Sequence, residues 1–183
     1  MKNLAHAVLL ATLGSANLSW AEVTHLAAGG FTVVNELVIT ASRNDVWIAS
    51  VDEVGQWWSS AHTVSGDATR LSISPYVQGC FCENFASGGG VVHMTVTMVN
   101  FGVVVRLTGG LGPLGLMGVN GNMTWEYVET DDGTRVTFTY VVGGHSADGL
   151  DTIAVPVDFV IGEALHRLKA HIEIGDANSA AVD

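Results

Sequence analysis

Few residues in this 183-residue chain combine the type and the spacing that chemistry needs. The clearest pair is Glu83 and His93. With Ala86-Ser87-Gly88-Gly89-Gly90 read as a hairpin loop, carboxylate and imidazole face each other across it, an arrangement suited to acid–base work. The register expected for the flanking strands groups them with Thr95 and Arg106 on a polar outer face, so a solvated ion cluster is the expectation. Cys80 and Cys82 form the second group. On one regular strand they share a face about two residues' rise apart, near the upper limit for a disulfide and with parallel side chains. Two unpaired, largely buried thiols are therefore expected, with thiol chemistry or a soft-metal site as the alternative. Cys-x-Cys is not a zinc-knuckle spacing and no second pair exists, so no metal is expected. The glycine-rich run from Gly109 to Gly115 has no Lys-Ser/Thr and leads into no helix. That excludes a phosphate loop and leaves a gate or a plain connection. No Gly-x-Ser-x-Gly, His-Glu-x-x-His or Cys-x-x-Cys occurs, and no cofactor is expected.

The elements that must position these residues follow from periodicity. Phe31 to Ile39 is rich in β-branched residues and predicts a first strand. Ser42 is suited to cap a helix, with Asp45 three residues on and Val46, Trp47, Ala49 and Ser50 at helical spacing; a second short turn is predicted from Asp52 to Trp57. Ser59 to Thr69 is polar and irregular. Strands are then predicted at Leu71 to Ser74, Cys80 to Phe85, Val91 to Met98, Val103 to Leu107, Asn122 to Glu129 and Thr134 to Val142. With Asp132-Gly133 as a two-residue turn, Tyr127 opposes Phe138, Trp125 opposes Tyr140 and Met123 opposes Val142, all on one apolar face. The preceding hairpin pairs Met94 with Leu107, Val96 with Val105 and Met98 with Val103. Leu150, Ile153, Val157, Ile161, Ala164, Leu165, Leu168 and Ile172 recur at three- and four-residue spacing, which predicts one amphipathic helix from about Leu150 to Ile172, starting or kinking near Pro156. A long helix placed last must cover the apolar face of the sheet.

Composition bounds the partners. The formal net charge is −11, which disfavours nucleic acid, anionic lipid and phosphate-rich ligands. Apolar residues make up 48% and charged ones 14%, so a well-filled interior is expected. Met1-Lys2, the apolar run from Leu4 to Leu13 and Ser19-Trp20-Ala21 read as a signal peptide over residues 1–21, with a disordered or packed N-terminal segment as the alternative. No later run is long enough to insert in a bilayer. The expected organisation is a leader at 1–21, one domain at 22–175 and a tail of low order at 176–183, in a periplasmic or secreted protein.

Strand, two short helices, antiparallel strands and a closing helix make an α+β layout. It resembles the SRPBCC superfamily (START-like, polyketide cyclase-like), in particular the branch named after the activator of the heat-shock chaperone ATPase. The residues that carry the resemblance are Ala41-Ser42-Arg43-Asn44-Asp45-Val46-Trp47, Gly55-Gln56-Trp57-Trp58, Gly79-Cys80-Phe81-Cys82-Glu83, Leu111-Gly112-Pro113-Leu114, Met123-Thr124-Trp125 and Gly133-Thr134-Arg135-Val136-Thr137. The resemblance implies a helix-grip fold, a curved antiparallel sheet wrapped round the C-terminal helix, with a cavity between them for sterols, lipids, polyketides or similar apolar ligands. Chaperone activation is not expected of an exported chain. The residues expected to meet ligand are Trp57 and Trp58 at the end of the second helix, Met94, Trp125 and Tyr140 on the concave face, His145 in the loop before the last helix, and Asp158 beside that helix's apolar stripe. Only Tyr140 and Asp158 then offer titratable groups to the cavity, which favours binding or carriage of an apolar small molecule. A cyclase- or dehydratase-like enzyme on the same cavity and a module that modulates a protein partner are the alternatives; such a partner is not identified by the sequence.

Overall fold

The computed structural model describes residues 20–180. Eight strands form one antiparallel sheet in the order β1-β2-β8-β7-β6-β5-β4-β3. β1 (Trp20–Ala27) was not expected; it pairs with β2 (Gly30–Ile39) at one edge. From β2 the chain crosses through α1 (Arg43–Asp52) and α2 (Val54–Trp57) to β3 (Leu71–Ile73) at the far edge. It then returns by β4 (Cys80–Asn84), β5 (Gly90–Asn100), β6 (Val104–Gly109), β7 (Gly118–Thr130) and β8 (Gly133–His145), which closes beside β2. The predicted leader lies in residues 1–21, of which 1–19 fall outside the described residues, and the expected cleavage bond, Ala21–Glu22, lies within β1.

Local chemistry explains the helices. The Ser42 hydroxyl accepts from the Asp45 N–H at 3.2 Å and caps α1. The closing helix, α3 (Ala154–Ile174), follows a 3-10 turn at Asp151–Ile153 and ends at Gly175 in the left-handed conformation. Pro156 thus falls in the first turn, where its missing N–H costs no helical bond. A further 3-10 turn, Ala177–Ser179, buries Ala177 where the sequence suggested a tail of low order. Ala164, Leu165 and Leu168 of α3 are buried against the sheet. At Gly162 the helix approaches β2 so closely that a Cβ would stand 2.8 Å from Asn35 Oδ1. Arg167 Nε donates to the Trp57 carbonyl at 2.8 Å and Lys169 Nζ to the Val38 carbonyl at 2.7 Å, so the helix is pinned to both α2 and β2.

Three details of the sheet differ from the expected pattern. The β7–β8 turn is Asp131-Asp132, so Trp125 pairs with Phe138 and Met123 with Tyr140, a slip of two residues that leaves every side chain on its expected face. β5 carries a bulge at Thr97, which turns both Thr97 and Met98 outward; Val96 pairs with Leu107 and Val99 with Val105. β5 also carries an extra residue, His93, where Phe81 pairs with Met94 and Cys82 with Val92.

That second bulge inverts two expectations. Phe81 and Glu83 point inward while Cys80 and Cys82 lie half-buried on the outer face. The two cysteines are joined by a disulfide, not left as free thiols. Regular strand geometry separates such residues by about 6.7 Å. Here, where the ladder loses register, their Cα atoms are 5.4 Å apart, well inside disulfide range.

Candidate functional site

A cavity of about 650 Å³ lies between the sheet and the N-terminal half of α3. The helix supplies Ile153, Pro156, Val157, Val160 and Ile161. The β6–β7 loop supplies Gly110 to Met117, with Leu114 buried as its anchor. Trp58, the segment Ala61 to Val64, Val91 to His93 and Tyr140 complete the wall. Val64, Val92 and Leu116 are exposed, so the rim is apolar as well. A second hollow, of about 570 Å³, lies between the start of α1 and the β5–β6 turn, with polar Ser42, Arg43, Asn44, Asp52 and Glu129 among its lining residues.

Tyr140 shapes the loop that walls the cavity. Its ring crosses Gly121, where a Cβ would stand 2.5 Å from Cε2; only glycine leaves room. The hydroxyl then donates to the Gly109 carbonyl at 3.0 Å and accepts from the Leu111 N–H at 3.1 Å. Burial pushes this phenol's pKa up, against the opposing hydrogen bond from Leu111. The hydroxyl is therefore occupied in holding the glycine-rich loop to the sheet.

Besides Thr63 and Tyr140, whose hydroxyls bond to backbone, the polar side chains lining the cavity are two histidines, each paired with a carboxylate. His62 Nε2 lies 2.7 Å from Glu163 Oε2 of α3, near the rim. His93 Nε2 lies 2.9 Å from Glu83 Oε2, and both residues are buried. Glu83 also accepts from the Val64 N–H at 3.0 Å and from the Ser65 N–H. Burial by itself raises the pKa of this carboxyl; the hydrogen bonds from Ser65, Val64 and His93 outweigh it and hold the pKa down at about 2. In place of the expected solvated cluster on the outer face there is an interior hydrogen-bonded pair, because the bulge at His93 turns that ring inward and the Val64–Ser65 backbone supplies what a buried carboxylate needs. A bulge leaves no mark in the alternation of residue types, so only the bare proximity of Glu83 and His93 was readable from sequence.

Of the other residues expected at the site, Trp58 lines the cavity with Tyr140. Trp57, Met94 and Trp125 are buried but are not among its lining residues. Trp57 Nε1 donates to the Ala49 carbonyl at 3.0 Å, and Trp125 stacks on Phe138 at 4.5 Å. His145 is exposed at the end of β8. Asp158 accepts from Asn35 Nδ2 at 2.9 Å, tying α3 to β2 beside the cavity. Among the described residues no group of three or more His, Cys, Asp or Glu could hold a metal ion, and no helix is long and apolar enough to cross a membrane.

No protein-family model and no curated protein matches the sequence. Solved structures do. The Aha1 dimer from Colwellia psychrerythraea superposes with a TM-score of 0.56 at 21% identity, over 79% of this chain and 97% of that one. CalU16 from Micromonospora echinospora gives 0.52 at 13%, over 87% and 85%. MLL2253 from Mesorhizobium loti gives 0.58 at 18%, over 79% and 98%. This chain has the helix-grip fold. The resemblance to the SRPBCC superfamily read from its residues therefore stands at the level of architecture, and at these identities the neighbours establish the fold alone.

Proposed function

We propose that this protein binds or carries an apolar small molecule in the cavity between the sheet and α3. The observation that carries the reading is the cavity itself, about 650 Å³ with mostly apolar walls and the exposed apolar rim of Val64, Val92 and Leu116. That volume suits a drug-sized ligand, and a few polar groups among apolar walls is the usual composition of such a site. The test uses the apolar fluorophore N-phenyl-1-naphthylamine. It should bind with saturable blue-shifted fluorescence. Val157→Trp, which fills the cavity from the helix side, should weaken binding at least about tenfold while the unfolding temperature changes little. Binding that is absent, or indifferent to Val157→Trp, would refute the reading.

A second reading, acid–base catalysis on a ligand in the same cavity, is favoured by one observation. The shortage of titratable groups inferred from sequence is relieved by His62 and His93, both in the wall. It requires the same occupancy and would show as turnover of a bound compound that His93→Gln abolishes.

We further propose that the protein is exported and matures after Ala21. The Cys80–Cys82 bridge supports this, since disulfides persist in oxidising compartments. Intact mass measured without reductant on protein from the periplasmic and secreted fractions should match a chain that begins at Glu22 and lacks two hydrogens. No thiol should be alkylated until reductant is added. An intact Met1, or two free thiols, would contradict the proposal.

A further inference from the structure

The wall of the cavity holds one buried ring whose hydrogen bonding is half complete. Glu83 is an ionised acceptor, so the proton in its 2.9 Å contact with His93 sits on Nε2 of the ring. When the imidazole carries that proton alone, Nδ1 has a free lone pair and can accept there. Nδ1 makes no hydrogen bond among the described residues. Yet the one fully buried side-chain polar atom without a partner among them is Trp125 Nε1, so Nδ1 of His93 reaches accessible space. His93 lines the cavity, and its exposed fraction is only 5%. The ring cannot swing away to find water: Nε2 is tied to a carboxylate that the Val64 and Ser65 N–H groups fix in turn, and its face contacts Phe81 at 5.7 Å.

We propose that His93 Nδ1 is the polar anchor of the cavity and that the ligand is a neutral apolar compound whose hydroxyl group donates to it. This rests on the reading that the cavity takes an apolar ligand. The donor must come from the ligand, because in the singly protonated ring, with Nε2–H committed to Glu83, Nδ1 only accepts. The ligand is neutral, because mostly apolar walls would desolvate any charge, and Glu83, Glu163 and a formal net charge of −11 further repel carboxylates and phosphates. His62 does not compete for the role: it lies at the rim, 27% exposed at its side chain, and so is not a desolvated acceptor. A fixed, desolvated acceptor discriminates strongly between a ligand that supplies the proton and one that does not.

The experiment displaces N-phenyl-1-naphthylamine with three ring compounds of similar shape: 2-naphthol, 2-methoxynaphthalene and naphthalene. Apolar burial alone ranks 2-naphthol last. The expected result is that 2-naphthol binds about tenfold tighter than either other compound. His93→Gln keeps an amide donor for Glu83 and moves the acceptor, now the amide oxygen, off the Nδ1 position; it should abolish that preference and bind the fluorophore, whose own N–H can use Nδ1, no more than a few-fold more weakly. His62→Gln should keep it. Equal or weaker binding of 2-naphthol in the wild-type protein, or a preference that survives His93→Gln, overturns the assignment while fluorophore binding leaves the cavity reading intact. Failure of the fluorophore to bind at all removes both. Should His93→Gln not fold, long-range 1H–15N spectra of the wild-type protein decide: the His93 Nδ1 resonance should move with 2-naphthol and stay with 2-methoxynaphthalene, and a resonance indifferent to both overturns the assignment.

Discussion

Trp125→Ala should cost the domain about 3–5 kcal/mol, the usual loss for truncating a fully packed core aromatic. Trp125 is fully buried, stacks on Phe138 at 4.5 Å and meets Trp57 at 6.0 Å. A residue that walled an open cavity would already lack part of that packing and would lose only about 1–2 kcal/mol by the same reasoning. Urea unfolding distinguishes the two, because domains of this kind have only about 5–15 kcal/mol to lose. Trp125→Phe is the informative companion. It removes the indole N–H, which has no partner, together with one ring, and should cost clearly less than the alanine change. A loss of 1–2 kcal/mol in Trp125→Ala with altered fluorophore binding would mean that the cavity reaches this residue.

Glu83→Ala should be of similar size, about 3–5 kcal/mol, for a different reason: donors left without an acceptor. The change strips the partner from three donors at once: the Val64 and Ser65 N–H groups and the His93 ring. It should also loosen the segment from Ala61 to Val64 that walls the cavity, so fluorophore binding should fall with stability. The pH dependence separates this carboxylate from a merely well-packed side chain. Its folded pKa, about 2, lies below the ordinary carboxylate value of 4.5. The stability it contributes is therefore complete above about pH 4.5 and is lost as the pH falls toward 2, where the folded form takes up its proton. Denaturant titrations from pH 7 to pH 2 should show a steeper decline in the wild-type protein than in Glu83→Gln. Parallel curves would mean that the carboxylate is not held as described.

Element order and the division of faces were readable because they rest on periods that tolerate small errors. Trp125, Tyr127, Phe138 and Tyr140 point inward whether the hairpin turns at Asp131-Asp132 or one position later, since a slip of two residues changes partners without changing faces. Odd insertions are another matter. One extra residue at His93 and one at Thr97 reverse the faces beyond them, and neither position has a composition that announces a bulge. The same blindness hid the disulfide, which depends on a local contraction of β4, and the inward position of Glu83. An isolated carboxylate belongs outside by every local rule; this one is stabilised within by backbone donors at Val64 and Ser65, which fold against it from a separate loop. The cavity was anticipated from layout, but layout alone does not say which residues of a concave face meet open space. The space lies beside Ile153 to Ile161, where Trp58 and Tyr140 line it and Trp57 and Trp125 do not.

The pairing of β2 with β8 also governs how the molecule can be made. Leu37 pairs with Val136, and until that late strand has emerged β2 has only the edge strand β1 beside it. Phe31, Val33 and Leu37 stay uncovered over that whole interval, and the helix that buries them comes later still. Contacts so distant in sequence close slowly and cannot form while the N-terminal part of the chain stands alone. The container therefore does not precede its lid. It comes into being as the last stretch of the chain docks, so a ligand present at that moment would bind the very step that completes the fold, and a chain cut short within α3 would lack a wall of its vessel as well as the cover of its core.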